Sequence, residues 1–352
     1  MKIFKTALLL ALLLAGGDLA AQIGGDYSYQ FLQLSPSARA TALGGVIPAI
    51  KDGDLGLAYH HPAMLSDETH RSIGFHHSFA PGGIGQGLLS YGHSLKDKNI
   101  HLQGGIQYID YGDFQGYDRI GTATSPFSAA EYSFFVGASR EIYSDLSMGA
   151  NFKFISSRLG AYSSTAVAMD LSFLYYKESQ RFGASLLIRN LGTQLSLYEE
   201  VDENLPLDIQ LSVTKRLEHL PFRMGLVMHS LNRWDLSYDD PRLDEQGTLF
   251  GDDESTDELG FIDKFSRHLV LSGEFLLGPQ ENFRLRFSYS NQRRAELKVA
   301  SFRNLAGFSM GLGLRANRFI IDYGAGIYHV AGTAHHISIR TSLDKFGKDR
   351  EL

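Results

Sequence analysis

The chain has 352 residues, of which 39 are acidic and 33 basic, and the resulting formal net charge of −6 excludes a general attraction to nucleic acid; no arginine-rich or aromatic-basic patch contradicts that. It has no cysteine, so neither a disulfide framework nor the acceptor thiol of a lipoprotein is available. Beyond the leader no apolar run approaches the ~18 residues of a spanning helix, whereas 37 Gly, 17 Tyr and 23 Phe against 9 Pro suit long strands with aromatic girdles.

The chain opens on Met1-Lys2-Ile3-Phe4-Lys5, an apolar stretch from Ala7 to Ala15, and Leu19-Ala20-Ala21 before Gln22. Basic, apolar and small residues in that order form an export signal (1–21), with cleavage expected after Ala21. A buried N-terminal helix would show an amphipathic period, and this stretch has none. Residues 22–69 are not strand-like. They contain Ser35-Pro36-Ser37-Ala38-Arg39-Ala40-Thr41-Ala42-Leu43-Gly44-Gly45, then Asp52-Gly53-Asp54, then His60-His61-Pro62-Ala63-Met64-Leu65. Small residues around one arginine, ended by a glycine pair, predict a short helix capped by Ser35 or Ser37, slim enough to plug a lumen as a hatch.

From residue 70 the pattern has a period of two. Leu146, Met148, Ala150, Phe152 and Phe154 alternate with Ser147, Gly149, Asn151 and Lys153; Phe283, Leu285, Phe287 and Tyr289 alternate with Arg284, Arg286, Ser288 and Ser290. Turn signals divide the stretch into fourteen strands, at 70–80, 86–95, 99–110, 130–141, 145–158, 164–177, 181–189, 206–216, 221–230, 265–277, 282–291, 306–315, 318–328 and 333–343. Connections after even strands are short, and those after odd strands include the long 111–129, 190–205, 231–264 and 292–305. A soluble sandwich has no reason to sort loops by parity, whereas a bacterial barrel does. The expectation is therefore an all-β, antiparallel up-and-down transmembrane barrel (70–343) of about fourteen strands, integral to the outer membrane and in contact with its lipid. Both termini, including a tail at 344–352, would then be periplasmic, with the long loops at the cell surface.

Alternation turns Lys153, Asp170, Arg189, Asp208, Arg223, Glu274, Arg284, Arg286, Arg315, Asp322 and Arg340 toward the lumen, since a lipid-facing Arg or Lys near the midplane costs ~2–4 kcal/mol. A salt-bridged lumen that stiffens a closed barrel is the preferred reading over an ion path. The pairs His60-His61, His76-His77 and His335-His336 are set aside as metal sites, because neighbours on a strand point to opposite faces. The stretch 235–258 is rich in acid, with Arg242 its one basic residue, and lacks EF-hand spacing. Loose calcium binding there ranks below a solvated loop, but this loop is the first choice for a partner contact, through Trp234, Asp239, Asp240, Arg242, Asp252 and Asp253. Ser212 to Lys215 and Ser342 to Lys345 match Ser-x-x-Lys, but at strand ends and without a following Lys-Thr-Gly. Neither an enzyme nor a cofactor or metal is expected.

The run from Ser37 to Gly45, followed at its proper distance by Pro62 and Ala63, resembles the hatch signature of the PorV/PorQ family, the FadL-like outer-membrane barrels of type IX secretion, and Gln22-Ile23-Gly24-Gly25 with the run 29–39 is nearer its PorQ branch than its PorV branch. Of the motif, Ser37, Ala38, Arg39, Leu43, Gly44, Gly45, Pro62 and Ala63 are present; His61 stands where the family has asparagine, so the hydrogen bonds of that side chain are not carried over. The resemblance implies a fourteen-strand barrel with a hatch, a membrane anchor in an attachment complex with the PorU sortase and PorV, holding a surface protein such as PorZ. A FadL-type passive transporter of hydrophobic small molecules is the alternative, and it would need an apolar pocket between hatch and wall.

Overall fold

In the computed structural model, which describes residues 27–199, 202–236, 260–297, 305–329 and 332–347, fourteen strands follow one another around a closed ring. They are β1 (Ser72–Phe79), β2 (Gly85–Leu95), β3 (Ile100–Phe114), β4 (Phe127–Tyr143), β5 (Leu146–Leu159), β6 (Tyr162–Lys177), β7 (Phe182–Ser196), β8 (Asp208–Arg216), β9 (Phe222–Met228), β10 (Leu269–Leu277), β11 (Phe283–Ser290), β12 (Phe308–Ala316), β13 (Phe319–His329) and β14 (Gly332–Ser342). Each pairs antiparallel with the next, and β14 returns to β1, Phe75 lying opposite Ile339. Closure leaves no unpaired edge, the condition for a sheet in lipid. The expected export signal (1–21), Asp239, Asp240, Arg242, Asp252, Asp253 and the end of the tail lie outside the described residues.

The two-residue period sets the two faces. Phe134 is flanked by Ile106 and Phe154 on neighbouring strands, and all three point outward. Phe75, Leu89, Val136, Phe152, Phe287, Met310 and Ile337 extend the same apolar belt. The alternate positions are buried and mostly polar, with Leu88, Phe135, Leu174, Leu187 and Val270 among the apolar ones.

Turns after even strands take two to five residues: 96–99, 144–145, 178–181, 217–221, 278–282 and 317–318. Asn99, Arg181 and Asn317 occupy the left-handed region there, with φ of 50°, 49° and 52°. The opposite end carries the long connections 115–126, 197–207, 229–268 and 291–307, but also short ones at 80–84, 160–161 and 330–331.

Three strands run further than the sequence pattern suggests. β3 continues through Gly112 to Phe114, β4 begins at Phe127, and β7 passes Asn190 and Gly192 to Ser196. Gly112 and Asn190 mark bulges inside the sheet, the register shifting between Asp110 and Gly112 and between Met169 and Leu171 with Asn190 at φ 59°, while Gly192 pairs regularly with Ala168. Conversely, 265–267 is not strand but the end of α3 (Phe261–Arg267), where Arg267 pairs with Asp263 one turn earlier. Two further short helices, at 291–296 and 344–347, also depart from the pattern.

The wall is uneven. β3 to β7 have 14 to 17 residues, while β8 to β14 have 7 to 11. A tilted membrane strand needs ~9–11. The excess lies at the long-loop end, where Phe114 opposes Phe127 and Leu159 opposes Tyr162.

Candidate functional site

Residues 27–71 fill the lumen. They bring an apolar core of their own, in which Leu43, Ile47, Ile50, Leu55, Leu57, Met64 and Leu65 pack with the inward Leu174 of β6 and Leu187 of β7. Within this hatch are α1 (Ala38–Ala42) and α2 (Leu55–Ala58).

Glycines on the wall explain why the hatch motif is built of small residues. A Cβ on Gly324 would lie 2.2 Å from the Ala38 carbonyl oxygen, and one on Gly311 2.5 Å from the Ala42 Cβ. The same holds for Gly149 against the Ala63 nitrogen (2.5 Å), Gly183 against the Ala49 oxygen (2.4 Å) and Gly92 against the Thr69 oxygen (2.5 Å). The hatch therefore sits backbone to backbone on four strands, and on a fifth, β12, the Ala42 methyl rests on Gly311. Gly44 and Gly45 end α1 with φ of 100° and 73°, a bend that a side chain opposes, and a Cβ on Gly44 would meet Val270 at 2.4 Å. Ser37 is the N-cap residue of α1, but neither it nor Ser35 caps with its side chain; the Ala38 amide donates instead to Ser338 Oγ of β14 at 2.9 Å. The wall has taken over the capping role expected of those serines.

Arg39 stands at the centre of this seat, buried. Its guanidinium donates to both Asp52 oxygens (2.9 and 2.8 Å), to Asp54 Oδ2 (3.0 Å) and to Glu274 Oε2 on β10 (3.0 Å). Arg223 of β9 donates to Glu274 (2.8 Å) and Asp52 (3.2 Å). Arg286 of β11 bridges Glu274 and Asp322 (2.6 Å each), and Arg340 of β14 bridges Asp322 (3.0 Å) and Asp54 (3.1 Å). Four arginines thus balance four carboxylates across hatch and wall. Burial opposes the charge of Asp52, but Arg39 above all, with Arg223 and Arg284, outweighs it and holds the carboxyl well below the usual range.

A second node lies across the lumen. Lys153 of β5 pairs with Asp170 of β6 at 2.7 Å and donates to Asn190 Oδ1 at 2.9 Å, while Arg189 of β7 faces Asp208 at 3.6 Å and donates to the Leu32 carbonyl at 2.7 Å. Arg284 is inward beside Glu281 (3.8 Å), and Arg315 is inward and partly buried near the short-turn end. The charges that the alternation turned inward are thus inside; nine of the eleven fall into two clusters, and Arg284 and Arg315 stand apart from them. Asp52, Asp54 and the seating glycines were not marked as site residues by the sequence pattern, although Asp52-Gly53-Asp54 after the small-residue stretch around Arg39 was visible.

The histidines divide. His76 is inward, with Nδ1 2.7 Å from Ser338 Oγ, and His77 faces out, 2.9 Å from the Tyr108 hydroxyl. His335 and His336 divide likewise. His60 and His61 are not on a strand, so the reasoning from opposite strand faces does not reach them: both are buried in the hatch, without hydrogen-bond partners for their ring nitrogens. Burial pushes the His61 imidazole down to about 4, and burial together with Arg189 and Lys153 depresses His60. Among the described residues no group of three metal-ligating side chains converges. Pro62 and Ala63 are buried, the Ala63 amide donating to Ser172 Oγ at 2.8 Å.

Of the residues chosen for partner contact, Trp234 is described. It is half exposed at the long-loop end, its ring 5.3 Å from His268 and 5.6 Å from Phe261.

No family model matches the sequence, and no curated protein does. By structure the chain is similar to the CymD monoaromatic hydrocarbon channel, with a TM-score of 0.54 at 11% identity over 90% of this chain and 99% of that one. The toluene transporter TodX of Pseudomonas putida scores 0.48 at 12% identity over 87% and 96% of the two chains, and a FadL homologue of Pseudomonas aeruginosa 0.47 at 9% over 87% and 98%. What the likeness to CymD shows is the fold, and the closed fourteen-strand barrel of this chain fits an outer-membrane protein.

Proposed function

We propose that this is an outer-membrane barrel of the PorV/PorQ type, nearest PorQ, that performs no chemistry and serves as an anchor. Its long connections face the cell surface and hold a surface protein such as PorZ, beside the PorU sortase and PorV. The observation that carries this reading is the latch: the hatch arginine of the motif is bound by charge to strands β10, β11, β13 and β14 through a closed ring of ion pairs, which suits a plug that stays in place. The motif Ser37 to Gly45 supplies the family. In the test, the tagged barrel is extracted from its own membranes in mild detergent. A surface protein is expected to co-purify; a folded barrel that comes out alone sinks the reading.

A second reading, a passive channel for hydrophobic small molecules, is favoured by the likeness to CymD, and the comparisons speak for it more than for the anchor. It requires the hatch to move. Slower uptake of a labelled monoaromatic hydrocarbon or fatty acid in a deletion strain would establish it, and unchanged uptake would remove it.

A further inference from the structure

Above the hatch, the tall strands β3 to β6 present an apolar inner face that lipid cannot reach. On it stand Phe114, Phe127 and Tyr162, 42%, 47% and 51% exposed, with Leu159 opposite Tyr162 in register. The Phe114 and Phe127 rings stack at 5.3 Å. Phe127 shares its pleat face with Ala129 and Glu131, and Leu159 shares its own with Ser157 and Ile155, so these rings form the upper course of a vestibule whose lower course is polar.

In that lower course Glu131 is 3% exposed. The Tyr111 hydroxyl donates to its Oε2 at 2.6 Å, the Ser157 and Tyr198 hydroxyls lie within reach of the same carboxylate, and Tyr198 donates to Ser157 Oγ at 2.5 Å. Tyr29 of the hatch closes the group, its ring 6.0 Å from that of Tyr198. Every other buried carboxylate among the described residues, Asp54, Asp170, Asp208, Glu274 and Asp322, has an arginine or lysine within ion-pair distance. Glu131 has hydroxyls alone. A buried carboxylate without a counter-charge is costly, and one framed by three tyrosine rings offers an ammonium group both an ion pair and cation–π contact.

We propose that this vestibule is a binding site for an organic cation with an aromatic or apolar body, its ammonium group over Glu131 between Tyr111 and Tyr198 and its body against Phe127, Leu159 and Tyr162. The site does not depend on either use of the barrel, and its failure leaves both untouched. The experiment uses the full chain in lipid nanodiscs and compares phenyltrimethylammonium with phenylacetate and benzyl alcohol by calorimetry. The cation is expected to bind at least about tenfold tighter than either of the others. Glu131→Gln should remove that preference at unchanged melting temperature. If that variant melts early, Phe127→Ala, at the exposed rim, reports instead and should weaken the cation several-fold. Equal binding of the three probes overturns the proposal, as does a Glu131→Gln or Phe127→Ala protein that binds the cation like the parent.

Discussion

The two sides of the lumen wall hold the hatch by different means. Strands β9 to β14 are short, and they meet the hatch with arginines, carboxylates and bare glycine backbone. Strands β3 to β7 are tall; they too seat hatch backbone, on Gly149 and Gly183, but otherwise give it Leu174, Leu187, Ile109 and Ile155, one buried lysine node, and an apolar face that rises above it. Close backbone contacts occur on both sides, so the difference lies in the side chains: buried ion pairs tolerate little sliding, while apolar groups fill volume without specifying register. The hatch is located by one side and padded by the other.

Arg39→Met should break that division most severely. It leaves Asp52, Asp54 and Glu274 under-compensated in a buried place, at a cost of about 3–5 kcal/mol. Protease should cut the hatch of this variant in a barrel that stays folded in detergent as the parent does. A wall that unfolds together with the hatch would mean that the charged side holds the barrel and not the plug alone.

Gly324→Ala comes next, at about 1–3 kcal/mol, because one methyl must displace the Ala38 carbonyl on which α1 rests. The matching change on the tall side, Ile155→Val, should cost about 1 kcal/mol and leave protease resistance unchanged. Equal losses in thermal melts would erase the distinction between locating and padding.

The smallest effect concerns pH. His61 titrates at about 4 when folded against 6.5 in the unfolded chain, so between those values the unfolded chain binds the extra proton. Stability present above pH 6.5 is therefore lost as pH falls, by about 0.7 kcal/mol between pH 7 and 6 for this one group. His61→Asn should flatten that part of the profile. A melting temperature whose fall with pH is the same in both proteins would show that His61 is solvated and not part of the packed hatch.

How much of this could be read from the residues differs by side. The lipid belt and the inward charges were legible, because a period of two admits one arrangement in which Phe134 meets lipid and Lys153 does not. The heights of β3, β4 and β7 were not: Gly112, Asn190 and Gly192 carry turn chemistry locally, and only sheet pairing makes the first two bulges and the third an ordinary strand residue. The latch was half legible. Arg39 and the inward Glu274 were both marked, but residues 235 positions apart are joined by the way the hatch enters the ring, which no local pattern encodes.

That long separation bears on the order in which the molecule can be made. Arg39, Asp52 and Asp54 emerge early, and their partners on β9, β10, β11, β13 and β14 come last, next to the seam where β14 meets β1. A half-assembled sheet would enclose two hatch carboxylates with Arg39 as their one counter-charge, an expensive state that grows cheaper as the final strands bring Arg223 and Arg340. The plug thus works as a check on completion: the seam closes at lowest cost around a hatch already seated, so a barrel sealed empty is the product that this arrangement discourages.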